Sequence, residues 1–126
     1  MSKFKSQGFF NTFKNARKGL RLVLKSEVNI RVHFCAALLI LLAAILLEFS
    51  ATKICVLLLT ISAVICAEMV NSAIEFSLDA VFHNKYSKLV GMAKDIAAGA
   101  VMFTTFIAVA IGLLLFLPPI FDLLIK

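Results

Sequence analysis

Glu68, Asn71, Ser72, Glu75 and Asp79 lie inside a run, residues 54–82, that is otherwise dominated by Leu, Ile, Val and Ala. On a helix, at about 100° per residue, these five positions fall within an arc of roughly 100° on one face. Glu68 and Glu75 stand two turns apart, so their Cα atoms are separated by about 10 Å along the axis. A carboxylate in hydrocarbon costs at least about 2.5 kcal/mol on insertion scales. Packing alone gives no reason to place three on one stripe. Further along, Lys94-Asp95 opens the next apolar run, and Glu27 stands just before the first one. These carboxylates and a lysine therefore converge on one level of the bilayer. Such a set suits magnesium–nucleotide chemistry. Mg²⁺ takes hard oxygen ligands and is usually held by one or two carboxylates plus substrate phosphates. A lysine meets phosphate as a point charge, and the deeper carboxylate could take a proton from a membrane-dissolved alcohol.

The elements that must position these groups are helices in a membrane. The chain has 126 residues, 62% of them hydrophobic, which implies one all-α integral membrane domain, 1–126. Three segments are candidate spans: 32–49, 54–82 and 96–121. The last carries no charge and exceeds the roughly 20 residues needed to cross. Residues 9–25 read as an amphipathic surface helix. Phe9, Phe10, Phe13, Ala16, Leu20, Val23 and Leu24 form its apolar face, and Lys14, Arg17, Lys18, Arg21 and Lys25 its basic one. No cleavable signal peptide is visible, because the apolar run begins only after Arg31; the first span should insert the chain and stay.

The net charge of +6 is uneven. Lys3, Lys5, Lys14, Arg17, Lys18, Arg21, Lys25 and Arg31 face a single acid, Glu27, in residues 1–33. The Lys/Arg bias predicts a cytoplasmic N-terminus and a cytoplasmic 83–88 connection, with the 48–53 turn and the Lys126 tail outside. A positive segment that abuts a membrane reads as a headgroup-binding surface, not as a nucleic-acid site. Asn11 and Ser26 are predicted N-caps, and Pro118-Pro119 is expected to stop or kink the third span.

Blander readings apply to several residues. Asn71 and Ser72 could simply join helices by hydrogen bonds. His33 reads as interfacial or hydrogen-bonded, and Glu48 and Asp122 as solvated span ends. Cys35, Cys55 and Cys66 form neither a disulfide framework nor a zinc site, and read as small apolar fillers. The sequence contains no GxxxxGK[ST] loop, no HExxH and no Ser/His/Asp set, which excludes a P-loop enzyme and the corresponding hydrolases.

The block Glu68-Met69-Val70-Asn71-Ser72-Ala73-Ile74-Glu75-Phe76-Ser77-Leu78-Asp79 resembles the signature of the prokaryotic diacylglycerol kinase family. Lys94-Asp95 with Ala97-Ala98-Gly99-Ala100-Val101 looks like its second block. Lys18-Gly19-Leu20-Arg21 and Glu27-x-Asn29-x-Arg31-x-His33 resemble its N-terminal part. The resemblance spans nearly the whole chain. It implies a homotrimeric lipid kinase of the bacterial inner (cytoplasmic) membrane, with a surface helix, three transmembrane helices per subunit and active sites shared between subunits. It further implies ATP as co-substrate and Mg²⁺ as cofactor. By the same resemblance Glu68 is the catalytic base, Glu75 and Glu27 bind the metal, and Asn71, Lys94 and Asp95 contact the nucleotide. Asp79 matches the remaining acid of the motif. The Glu-x-Asn-x-Arg-x-His and Lys-Asp-x-Ala-Ala-Gly-Ala-Val patterns look more like the undecaprenol kinase branch than the diacylglycerol branch.

Two other classes compete with a kinase. A small cation or proton transporter would line a path with intramembrane acids, but here the acids bunch toward one side of the membrane. A helical adaptor anchored by residues 9–25 would keep its function when Glu68 and Glu75 are neutralised.

Overall fold

The structure, a computed structural model, describes residues 8–83, 85 and 87–125. Lys3, Lys5 and Lys126, used above to orient the chain, lie outside the described residues, as do Asn84 and Tyr86 of the 83–88 connection. Four helices follow one another: α1 (Phe9–Ser26), α2 (Val28–Leu46), α3 (Ala51–Phe82) and α4 (Lys88–Ile125). α2, α3 and α4 are each long and apolar enough to cross a membrane. α1 matches the expected surface helix, with Phe9, Phe10 and Phe13 exposed along its apolar face. α3 is the central element, packing most extensively on α4 and next on α2, while α1 rests on α2.

Regular spacing explains how the helices pack. Ile30, Ala37 and Ala44 are the buried residues of α2, each seven residues from the next. Val90 and Ala97 repeat that interval in α4, and Leu57 and Val64 in α3. A seven-residue repeat keeps one seam facing the neighbour when helices cross at a shallow left-handed angle. Alanine at three of these seam positions lets backbones approach closely. The α3 seam then continues through Glu68 and Ser72, which are 6% and 3% exposed. The polar stripe is therefore built into the packing face.

Helix ends correct several expectations. Asn11 lies within α1, whose N-cap is Gly8, and Ser26 is the last residue of α1, its hydroxyl donating to the Leu22 carbonyl. The capping serines are Ser50, which accepts from the Lys53 N–H, and Ser87, which accepts from the Val90 N–H. Both helices start ahead of their apolar runs because a cap fixes where the backbone bonds begin, whereas hydropathy marks only the lipid-facing part. Pro118 and Pro119 sit inside α4, which continues to Ile125. The missing N–H groups leave carbonyls without donors one turn earlier, a local loss that the helix survives near its end. The three cysteines are exposed on the protomer surface and fill no interior space. In a membrane protein the outer face is itself apolar, so a small apolar residue need not point inward. Glu48 and Asp122 are exposed, as expected of span ends.

The turn from α2 to α3 is a Schellman closure. The Phe49 N–H donates to the Ala44 carbonyl and the Glu48 N–H to that of Ile45, while Glu48 adopts φ 54°. A glycine usually fills that left-handed position.

Candidate active site

Three side-chain hydrogen bonds organise the polar stripe. Glu68 Oε1 lies 3.2 Å from His33 Nε2, which ties α3 to α2. The Asn71 amide donates to Glu75 Oε1 at 3.0 Å along one turn of α3. Lys94 Nζ donates to Asp79 Oδ1 at 2.6 Å, which ties α3 to α4. The stripe thus runs from its most buried member, Glu68, to the half-exposed Lys94–Asp79 pair near the loop.

α2 reaches Glu68 through the block that precedes it. Glu27 is the extended residue that separates α1 from α2, and its N–H closes α1 on the Val23 carbonyl. Arg31 donates through Nη1 to the Leu24 and Lys25 carbonyls, filling the C-terminal end of α1 with a cation. Residues two apart on a helix point in different directions. Arg31 accordingly reaches back to α1, while His33 reaches across to α3.

The sequence-derived residues assemble only in part. Glu68, Asn71 and Glu75 share one face of α3, and Lys94 joins them from α4 through Asp79. Asp95 is exposed at the start of α4, and Glu27 is half-buried at the α1–α2 break. Among the described residues, no three His, Cys, Asp or Glu side chains lie close enough together to hold a metal by themselves. The carboxylates are consequently less converged within one chain than their bilayer depth suggested. Sequence reasoning missed the two cross-helix pairs, His33–Glu68 and Lys94–Asp79. The signal available for the second was charge complementarity at the loop-proximal ends of consecutive spans; for the first it was only a histidine near the depth of an acid.

Asn71 has a feature of its own. Its Oδ1 is sealed from solvent and accepts no hydrogen bond among the described residues. The carboxylate of Glu75 fixes the amide orientation, because only the nitrogen can face it favourably. A buried, unmet carbonyl of this kind costs about 1–3 kcal/mol.

Away from the stripe, α2, α3 and α4 enclose a groove of about 440 Å³. His33 stands at one end, and Phe116 and Leu57 line the other; the walls include Ala37, Val64 and Gly112. Apart from His33 the lining is apolar but for two threonines, and the Thr60 hydroxyl is already bonded to the Val56 carbonyl. Hydrocarbon can enter such a groove without leaving polar groups unmet.

Residues 14–116 match the family model for prokaryotic diacylglycerol kinase. An undecaprenol kinase of Bacillus subtilis is 36% identical over 110 residues, which cover 87% of this chain and 89% of that one. A diacylglycerol kinase of Synechocystis is 34% identical over 114 residues, covering 90% of this chain; the chain spans only 65% of that relative's length. A diacylglycerol kinase of Escherichia coli is 34% identical over 92 residues, 73% of this chain and 75% of the relative. These matches lend nothing to the transporter reading. Three membrane-length helices, a carboxylate stripe on the packing face of one of them and relatives matched over most of the chain lead to one conclusion: the chain belongs to the prokaryotic diacylglycerol kinase family.

Proposed function

We propose that the chain transfers the γ-phosphoryl group of ATP to the hydroxyl of a membrane lipid alcohol. The observation that carries this reading, given the family, is a buried carboxylate, Glu68, bonded to a histidine that caps an apolar groove. The lipid's hydrocarbon lies in the groove and its hydroxyl meets Glu68. Glu68 accepts the hydroxyl proton as the oxygen bonds to the γ-phosphorus. The bond from that phosphorus to the bridging oxygen breaks, ADP leaves, and the proton remains on Glu68. Phosphoryl transfer asks the protein mainly for positioning and charge stabilisation.

The other side chains bind and orient. Asn71 and Asp95 contact the nucleotide, Asp95 from an exposed position on α4. Lys94, a third exposed, exchanges Asp79 for a phosphate oxygen. Glu75 and Glu27 hold the metal-bound phosphates. Hard carboxylates suit Mg²⁺ that arrives largely on phosphate oxygens. Among the described residues, Glu75 spends one oxygen on Asn71 and accepts nothing at the other. Mg²⁺, when bound, supplies neutralisation of the transferring charge.

Undecaprenol is the favoured acceptor. The Bacillus relative that bears that name matches this chain over nearly all of its own length, and the Glu27–His33 and Lys94–Val101 patterns agree with it. Diacylglycerol, converted to phosphatidic acid, is the alternative, after the names of the Synechocystis and Escherichia relatives. The working assembly is a homotrimer with sites shared between subunits. In support, the most apolar stretch of α4 is wholly unburied in one protomer, and one chain gathers an incomplete ligand set. The N-terminus and the stripe end of the bundle face the cytoplasm in the bacterial inner membrane.

The test is phosphate transfer from labelled ATP by purified protein in mixed micelles. Separate tubes contain undecaprenol, diacylglycerol or no lipid, each with and without Mg²⁺. Mg²⁺-dependent labelling of one lipid supports the kinase and selects the acceptor. Folded protein that labels neither lipid would overturn the reading.

A further inference from the structure

Resting on the kinase reading above, we infer that His33 is a positioning residue for Glu68. Glu68 is 6% exposed, and among the described residues His33 provides its one side-chain hydrogen bond. A carboxylate so far from water is costly to keep ionised without a donor. It must nonetheless be ionised to take a proton. Nε2 of His33 therefore carries the hydrogen and donates it to Oε1, which leaves Oε2 as the basic atom. Among the described residues Oε2 accepts no hydrogen bond, so it is the oxygen left to take the proton of an incoming hydroxyl.

The position of His33 suits that task. Its side chain is 27% exposed and forms part of the groove lining, so one ring touches both the base and the proposed hydrocarbon path. The acceptor's last carbons would pass the imidazole as the hydroxyl arrives at Oε2. His33 itself neither gains nor loses a proton in the step. It fixes the rotamer and the charge of the group that does. Arg31, two residues earlier, clamps the end of α1. The first turns of α2 thus hold the surface helix with one side chain and the base with the next.

The test uses the full chain in mixed micelles, with labelled ATP and whichever lipid alcohol the wild type phosphorylates. His33→Leu and His33→Gln are made in the wild-type and in the Glu68→Gln background. Misplacing a reacting group by about 1 Å can cost about 100-fold, so His33→Leu should lower kcat by about 10- to 100-fold, with the KM for ATP within about twofold of wild type. The Gln amide nitrogen reaches close to where Nε2 lies, and His33→Gln should recover most of the loss. In the Glu68→Gln background His33→Leu should cost nothing further, because residues that act through one another are non-additive. A kcat for His33→Leu within twofold of wild type would overturn the inference. So would an equal loss in both backgrounds, or loss of ATP binding in both His33 variants, which would make His33 part of the scaffold. A wild type that labels no lipid removes the kinase reading first, and is told apart by the unmutated protein alone.

Discussion

The two halves of α3 pack alike and differ in what they can do. From Leu57 to Val64 the buried face is apolar and lines a groove. From Glu68 to Asp79 the same face, in the same register, holds carboxylates bonded to α2 on one side and to α4 on the other. The seam does not change direction between them; only the residue types change. The apolar half holds the bundle with shape and aromatic contact, such as the Phe49–Phe116 pair at 4.8 Å with Lys53 over the Phe49 ring. The polar half holds it with the His33–Glu68 and Lys94–Asp79 pairs. A helix can thus carry a reactive stripe without a soluble domain, provided that neighbouring helices supply partners for each polar group.

That contrast breaks most clearly under substitution. Replacing Glu68 and Glu75 together by Gln should reduce phosphate transfer to background while thermal stability holds or rises, since neutral amides cost less to bury than carboxylates. A double variant that still turns over would mean that the polar half is scaffold after all. Lys94→Met should come next. It removes a phosphate-facing cation and strands Asp79, and turnover should fall by about 10- to 1000-fold, the range in which removal of one charge-stabilising group is felt. A smaller drop than tenfold would assign the Lys94–Asp79 bond to helix joining alone.

Glu75→Gln sharpens the comparison within the polar half. Turnover should become recoverable at raised Mg²⁺, with the half-saturating concentration displaced about tenfold or more. An unchanged Mg²⁺ titration would take Glu75 out of the metal site. At the apolar end, Phe49→Ala should lower the thermal midpoint by loss of an aromatic pair, on the order of 1 kcal/mol, with turnover per folded molecule unchanged. The smallest effect expected is a gain: Glu48→Gly relieves a left-handed residue in the α2–α3 turn and should raise the midpoint slightly, by less than about 1 kcal/mol.

Much of this was legible along single helices. Periodicity located α1, and it put Glu68, Asn71, Ser72, Glu75 and Asp79 on one face because the stripe needs only the 100° step of one helix. Pairings between helices were not legible in that way. His33 meets Glu68 across α2 and α3, and nothing in the spacing of either helix fixes their relative rotation. The caps at Ser50 and Ser87 were missed because apolar runs mark lipid contact, whereas backbone bonds mark helix ends. The outward cysteines escaped for a related reason: in a membrane, apolar character does not separate inside from outside. The proposed site roles come from the resemblance to the family motif, read onto Glu27, Glu68, Asn71, Glu75, Lys94 and Asp95.

The most direct test of Glu68 as the base compares turnover with nucleotide binding in the single variant Glu68→Gln. Glutamine keeps the shape of the side chain and its contact with His33 while losing the basic oxygen. Turnover should fall by about 10²- to 10⁴-fold, the usual contribution of a general base, with ATP binding at wild-type strength. Turnover above a tenth of wild type, from protein that binds ATP normally, would contradict it.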